Sequence, residues 1–180
     1  NQRLKIGKNC CLGFSPERVD PGNKKFKTFN IPKLISGATN NCLKQISLIY
    51  DKVFTTHKVS KLETAEFAKI YENIFGSINI SFVNEMKVLS HKMNIDIYEV
   101  IKAASTKPFG FVPFYPGPGF GGHCIPVDPF LLSWKAKEFN FSTRFVELSG
   151  QINESMPNYI VNNLVKNLIF HKINLSKANL

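Results

Sequence analysis

The chain has 180 residues, with 23 Lys and Arg against 13 Asp and Glu for a formal net charge of +10, and it is 43% hydrophobic and 12% aromatic. This balance supports a packed core over one domain or slightly more, and the 16 Phe exclude a disordered polymer. No apolar run approaches the roughly 20 residues that span a bilayer, and the opening Asn1-Gln2-Arg3-Leu4-Lys5-Ile6-Gly7-Lys8 lacks the apolar stretch of a secretory signal. The expectation is a cytoplasmic chain with no membrane partner, and the missing initiator Met points to a piece of something longer.

The positive charge is scattered. Lys24, Lys25, Lys27, Lys33, Lys58, Lys61, Lys69, Lys87, Lys135, Lys137, Lys166 and Lys172 form neither a dense run nor a continuous basic helix face, which argues against a nucleic-acid partner. Most of these lysines read as solvated surface. Cys10, Cys11, Cys42 and Cys124 show no metal-ligand spacing, so no metal centre is expected. The first three read as reduced thiols buried as small apolar groups.

In chain order, Cys10 to Phe14 and Lys33 to Gly37 are short apolar runs bounded by Ser15-Pro16, Pro32 and Gly37, and read as buried strands. Between them Asp20-Pro21-Gly22-Asn23 is a turn, because Pro fixes φ and Gly accepts positive φ. From Asn40 or Asn41, acting as cap, the spacing of Leu43, Ile46, Leu48, Ile49 and Val53 predicts an amphipathic helix. Another short apolar piece follows before Lys61.

Beyond residue 60 the pattern turns helical. Leu62, Ala65, Ile70, Ile74, Ile78, Phe82, Met86 and Leu89 recur every three to five residues without Pro, predicting one helix from about Leu62 to Lys92, about 45 Å long at 1.5 Å per residue. Asp96 opens a second helix that ends between Ser105 and Pro108. Residues 106–127 form a Pro/Gly/Phe-rich loop much longer than an ordinary connection, and such loops in compact domains are usually functional. Asp128-Pro129 caps a third helix through Trp134 and Ala136, and a last one runs from Arg144 or Phe145 towards Phe170, kinked or broken at Pro157.

The loop is where chemistry concentrates. Gly117, Gly119, Gly121 and Gly122 remove side chains so that backbone amides can approach a ligand, and Cys124 follows directly, just before a capped helix. A thiolate there is stabilised by amide dipoles and open to substrate; a buried Cys in a tight turn is the competing reading, and the spacing does not separate the two. His123 adjoins the thiol, but adjacent residues rarely bring their side chains together. Lys69 and Asn73, four apart, share one face of the long helix, as a catalytic cation and amide or as a solvated pair. Glu17 sits at a strand end, as a ligand-facing carboxylate or as a partner for Arg18 or another neighbour.

Taken in order, Ser15-Pro16-Glu17-Arg18, then Lys69 and Asn73 within residues 63–84, then the run from Gly117-Pro118-Gly119-Phe120-Gly121-Gly122-His123-Cys124 to Ile125-Pro126-Val127-Asp128-Pro129, the chain resembles the UDP-glucose/GDP-mannose dehydrogenases over nearly its whole length. With Trp134-Lys135-Ala136, residues 143–148 and Ile152-Asn153, it looks most like the branch that oxidises UDP-N-acetylhexosamines. The resemblance implies a mainly α fold, with an all-helical central dimerisation domain over residues 61–180. Ahead of it, residues 1–60 would be a residual α/β piece, the C-terminal part of a Rossmann-like NAD-binding domain.

It further implies an NAD-dependent, four-electron oxidation of the sugar C6 alcohol to a carboxylate without release of aldehyde. Cys124 would add to the C6 aldehyde, giving a thiohemiacetal and then a thioester. Lys69 and Asn73 would stabilise the C6 oxyanion, Asp128 would orient water or the Lys, and Glu17 would do acid/base work in thioester hydrolysis. Gly117, Gly119, Gly121 and Gly122 would cradle the sugar nucleotide, with Phe114 or Tyr115 against uracil. The implied partners are the UDP-sugar and a second copy of the chain, joined through the long helix.

No Gly-x-Gly-x-x-Gly precedes a helix before residue 60, so NAD would be bound mainly by regions outside this chain, and the isolated chain is expected not to turn over. Four positions after Glu17, where glucose-specific relatives carry a second acid, stands Pro21. A catalytically silent dimerisation module and a thiol hydrolase using Cys124 and His123 are the alternatives.

Overall fold

A computed structural model describes residues 3–20, 22–121 and 127–174. The fold is mainly helical, with a three-stranded sheet confined to the N-terminal part. The chain divides into two compact units, Asn1–Glu72 and Asn73–Leu180.

In the first unit β1 (Gly13–Phe14), β2 (Lys33–Gly37) and β3 (Thr56–Lys58) lie in the order β1-β2-β3. β1 runs antiparallel to β2, with Gly13 opposite Gly37. β3 runs parallel to it, with Lys33 opposite Thr56. A parallel pair needs a crossover, and α1 (Asn40–Tyr50) supplies it, making a β-α-β unit. All five residues of β2 are buried, as expected of a strand paired on both edges, and Ile35 is wholly enclosed. Gly37 is required by close approach: a Cβ there would lie 2.3 Å from the Leu43 amide nitrogen.

Three details differ from the sequence reading. The first strand is only two residues long, because Gly7 takes a positive φ of 83° and residues 5–10 bond among themselves, with Gly7 N donating to Cys10 O at 2.8 Å. The α1 cap is Thr39, whose hydroxyl accepts from Cys42 N at 3.2 Å, rather than Asn40 or Asn41. The inward residues of α1 are Cys42 and Ser47, whereas Leu48, Ile49 and Val53 are exposed; apolar spacing marks a face without saying what packs on it.

The cysteines also divide. Cys42 is buried and accepts hydrogen bonds from the Thr39 hydroxyl at 3.2 Å and the Leu12 amide at 3.4 Å, while Cys10 is half-buried and Cys11 exposed. Burial therefore holds for one of the three. The Asp20 turn is present, Asn23 N donating to Asp20 O at 3.0 Å.

α2 (Leu62–Lys92) is the 31-residue helix expected from the periodicity, and it continues from the first unit into the second. It ends where Asn94 adopts a left-handed φ of 57°, and α3 (Ile97–Ala104) begins at Asp96, whose carboxylate accepts from Tyr98 N at 2.9 Å. Val83, Ile97 and Ile101 form a small apolar core against Met86 and Phe114. Side chains of this size are worth about 1.5–3 kcal/mol each when fully buried.

After the long loop come α4 (Asp128–Ala136), a 3₁₀ turn (Lys137–Phe139) and α5 (Arg144–Phe170). The buried positions of α5, namely Val146, Ser149, Gly150, Asn153 and Met156, fall every three or four residues on one face. Pro157 lies inside α5 without ending it. Among the described residues no helix is long and apolar enough to cross a membrane.

Candidate functional site

The second unit is built around a polar seam. Within this unit α2 buries Ile74, Ser77, Ser81, Val83, Asn84 and Ser90, whereas its apolar Phe82 and Leu89 are exposed. Asn84 and Asn153 are both essentially inaccessible, and Asn84 Nδ2 donates to Asn153 Oδ1 at 2.8 Å. Asn153 Nδ2 reaches Ser77 O at 3.4 Å, and the hydroxyls of Ser77 and Ser149 are 3.2 Å apart. Buried amides are tolerable only when such partners exist.

This seam holds the glycine-rich loop. Gly117 N donates to Asn84 Oδ1 at 2.9 Å. Gly119 has a φ of 112°, and a Cβ on it would stand 2.6 Å from the Asn153 carbonyl oxygen and 3.7 Å from Pro157 Cδ. Pro157 has no N–H to offer the carbonyl four residues back, which is that of Asn153. The proline thus leaves a carbonyl without its helical partner at the place where the loop backbone passes. Beside Gly117 and Gly121, by contrast, a Cβ would meet no atom of the described residues within 4 Å.

The segment after the loop is tied to α2 separately. Asp128 was read as the cap of α4, but the cap is Val127 with no side-chain bond, and Asp128 occupies the first turn beside Pro129. Its carboxylate instead accepts a short hydrogen bond from Asn73 Nδ2. Asn73 and Asp128 are both half-buried, which differs from a solvated Asn on an open helix face. Of the two loop rings, Phe114 is half-buried and packs edge-on against Phe75 at 5.8 Å, whereas Tyr115 is 59% exposed. Gly122 and Cys124, together with His123, lie outside the described residues.

In the first unit, Lys69 is half-buried on α2. Arg18 turns away from its neighbour Glu17 to form a two-toothed pair with Glu72, at 2.6 and 3.2 Å. Glu17 is bound by Lys33 instead, whose Nζ lies 2.7 and 2.8 Å from the two carboxylate oxygens, with the Arg18 and Val19 amides donating to Oε1 at 2.8 and 3.1 Å. These donors, the Lys33 ammonium first, hold the Glu17 carboxyl below the usual carboxylate range. Lys33 is the exception to the solvated lysines, with only 6% of its surface exposed.

Asn84, Asn153 and Lys33 were not singled out from sequence. Asn84 and Asn153 carried the same signal as Asn73, a poor helix former inside a helix. Among the described residues no cluster of three or more His, Cys, Asp or Glu could hold a metal ion.

The fold is a helical domain preceded by a β-α-β piece, and its candidate site is a glycine loop held against two buried asparagines. Residues 63–155 match the central domain of the UDP-glucose/GDP-mannose dehydrogenase family. The chain is 36% identical over 177 residues to UDP-N-acetyl-D-glucosamine 6-dehydrogenase of Pseudomonas aeruginosa, covering 97% of this chain and 42% of that protein. It is 39% identical over 168 residues to Protein CapL of Staphylococcus aureus, covering 92% and 39%.

Among solved structures, the UDP-D-ManNAc dehydrogenase of Pyrococcus horikoshii superposes with a TM-score of 0.85 at 30% identity, covering 97% of this chain and 41% of that one. The UDP-N-acetyl-mannosamine dehydrogenase Cap5O of S. aureus gives 0.73 at 30% identity, covering 91% and 37%. The chain therefore belongs to the UDP-glucose/GDP-mannose dehydrogenase family. It spans about two fifths of the length of the relatives it matches.

Proposed function

We propose that this chain forms part of a UDP-N-acetylhexosamine 6-dehydrogenase that carries the C6 alcohol through to a carboxylate on Cys124. The observation that carries the reading is the bond from Asn73 to Asp128: it ties the helix bearing the Lys-x-x-x-Asn pair to the helix that starts four residues after the thiol. Lys69, one helical turn before Asn73, supplies a cation, and Asn73 supplies an amide donor for the C6 oxygen as negative charge develops there. Fixing Asn73 through Asp128 presets that donor before substrate arrives.

Cys124 adds to the aldehyde carbon, retaining it covalently until the acyl level is reached, and Glu17 takes a proton from the water that releases the acid. Among the described residues nothing crowds Gly117 or Gly121, which suits a phosphate-bearing ligand close to backbone. The exposed Tyr115 is assigned to the uracil ring rather than Phe114, whose ring is engaged with Phe75.

NAD, as the family resemblance implies, would supply the hydride acceptor. The described residues of the β2–α1 turn do not fit it. In the turn from β2 into α1, Gly37-Ala38-Thr39, the space beside the single glycine is filled by the α1 backbone at Leu43, so there is no cradle for a pyrophosphate.

A second copy of the chain is the proposed partner, and a cytoplasmic location is part of the same reading. An apolar cavity of about 620 Å³ between α2, α3 and the start of the loop supports the partner. Its lining includes Phe82, Leu89, Met93, Val100 and Val112, all exposed in the single chain.

The test is an assay of the gene product that carries this chain, supplied with UDP-N-acetylglucosamine and NAD. Two NADH should form per molecule of acid, with no aldehyde captured by semicarbazide. Hydrolysis of a simple ester without NADH formation would support the thiol hydrolase, and no reaction with UDP-N-acetylglucosamine, UDP-N-acetylmannosamine or UDP-glucose would support the silent module.

A further inference from the structure

A lysine in the middle of a sheet requires a reason. Lys33 begins β2, the strand hydrogen-bonded on both sides, and its side chain is 7% exposed, while that of its partner Glu17 is 64% exposed. Stability is a weak explanation, because burying an ammonium costs desolvation that one carboxylate at the surface returns only in part, and a buried apolar side chain of similar length usually serves as well. Its charge also faces an aromatic ring, Nζ standing 5.5 Å from the centre of Phe54.

The effect on Glu17 is specific. Oε1 accepts three hydrogen bonds, from Lys33 Nζ and from the Arg18 and Val19 amides, whereas Oε2 accepts from Lys33 alone among the described residues. One oxygen is saturated, and the other keeps a lone pair for an outside proton. Two neighbouring cations are engaged elsewhere: Arg18 is taken by Glu72 and the Pro32 carbonyl, and Lys58 by Asp51.

We infer that Lys33 is a positioning residue for the proposed dehydrogenase, clamping Glu17 from the buried side so that Oε2 faces outward as its proton-accepting atom. The inference rests on the dehydrogenase reading. In the step it serves, the oxygen of water joins the acyl carbon, one water proton passes to Oε2, and the carbon–sulfur bond breaks with its electron pair leaving on sulfur as thiolate. The proton on Oε2 then moves to solvent, restoring the carboxylate. The clamp works by favouring the ionised form of Glu17 and fixing its angle, without Lys33 touching substrate.

The test uses Lys33→Met, which keeps the length and loses the charge, and Lys33→Arg, which keeps the charge. In the gene product assayed with UDP-N-acetylglucosamine and NAD, Lys33→Met should lower kcat about 10-fold or more with KM little changed, since hydrolysis follows binding. It should also move the acidic limb of the kcat profile upward by about half a pH unit or more. Lys33→Arg should restore most of both. Independently of turnover, a ¹³C titration of the wild-type protein should show the Glu17 carboxyl ionising below the usual carboxylate range, held there first by the Lys33 ammonium.

A Glu17 carboxyl that ionises within or above the usual carboxylate range overturns the inference even if Lys33→Met fails to fold. A folded Lys33→Met with unchanged kcat and acidic limb, and only a lower melting temperature, overturns it too. Absence of oxidation by the wild-type protein defeats the dehydrogenase reading instead, and is recognisable because the titration result stands apart from it.

Discussion

Cys124→Ala in the gene product should lower acid formation from UDP-N-acetylglucosamine by about 10³-fold or more, a loss of the size seen when a covalent nucleophile is removed while binding groups remain. KM for the nucleotide should change little, because the loop backbone, Tyr115 and the donors on α2 are untouched. A hydride transfer that needs no sulfur could persist for the first two-electron stage, so the mutant should release aldehyde that semicarbazide captures. Unaltered acid formation would remove Cys124 from the mechanism.

Asn84→Ala should cost about 2–4 kcal/mol of stability, measured by urea unfolding. One side chain makes two bonds here: its Oδ1 accepts from Gly117 N, and its Nδ2 donates to Asn153 Oδ1. Truncation leaves an amide and a carbonyl-type oxygen without partners, and each buried orphan costs about 1–3 kcal/mol. The same change frees the loop at Gly117, so KM for the UDP-sugar should rise while the pH profile stays in place. A cost under about 0.5 kcal/mol would mean that the seam does not latch the loop.

The long elements were legible because periodicity is a strong signal over many turns. α2 and α5 begin and end where spacing and composition put them, and even Pro157 falls inside α5 rather than ending it. Local hydrogen bonding was harder to read. Thr39 displaces Asn40 as a cap because the cap is decided by where the backbone leaves the β region. Asp128, an acid before a proline, looked like a cap but spends its carboxylate on Asn73, 55 positions away.

The seam was hidden for a related reason. Apolar spacing marks the length of α2 but not its inner face, because α2 buries Ser77, Ser81 and Asn84 while exposing Phe82 and Leu89. Small polar side chains can form an interior when each finds a partner, and no single position in the sequence displays that partner. Lys33 is the sharpest case. Among scattered lysines it looked like one more surface charge, and only the fold shows it beneath Glu17 with both carboxylate oxygens in reach.

The central claim is that oxidation ends in a thioester on Cys124. The most direct measurement mixes the Glu17→Gln form of the gene product, slowed in hydrolysis, with UDP-N-acetylglucosamine and NAD, quenches in acid, and weighs the peptides. The account predicts a peptide containing Cys124 heavier by one sugar-nucleotide acyl group, absent without NAD and absent in the Cys124→Ala form. NADH formation with that peptide unmodified at every time point would contradict it.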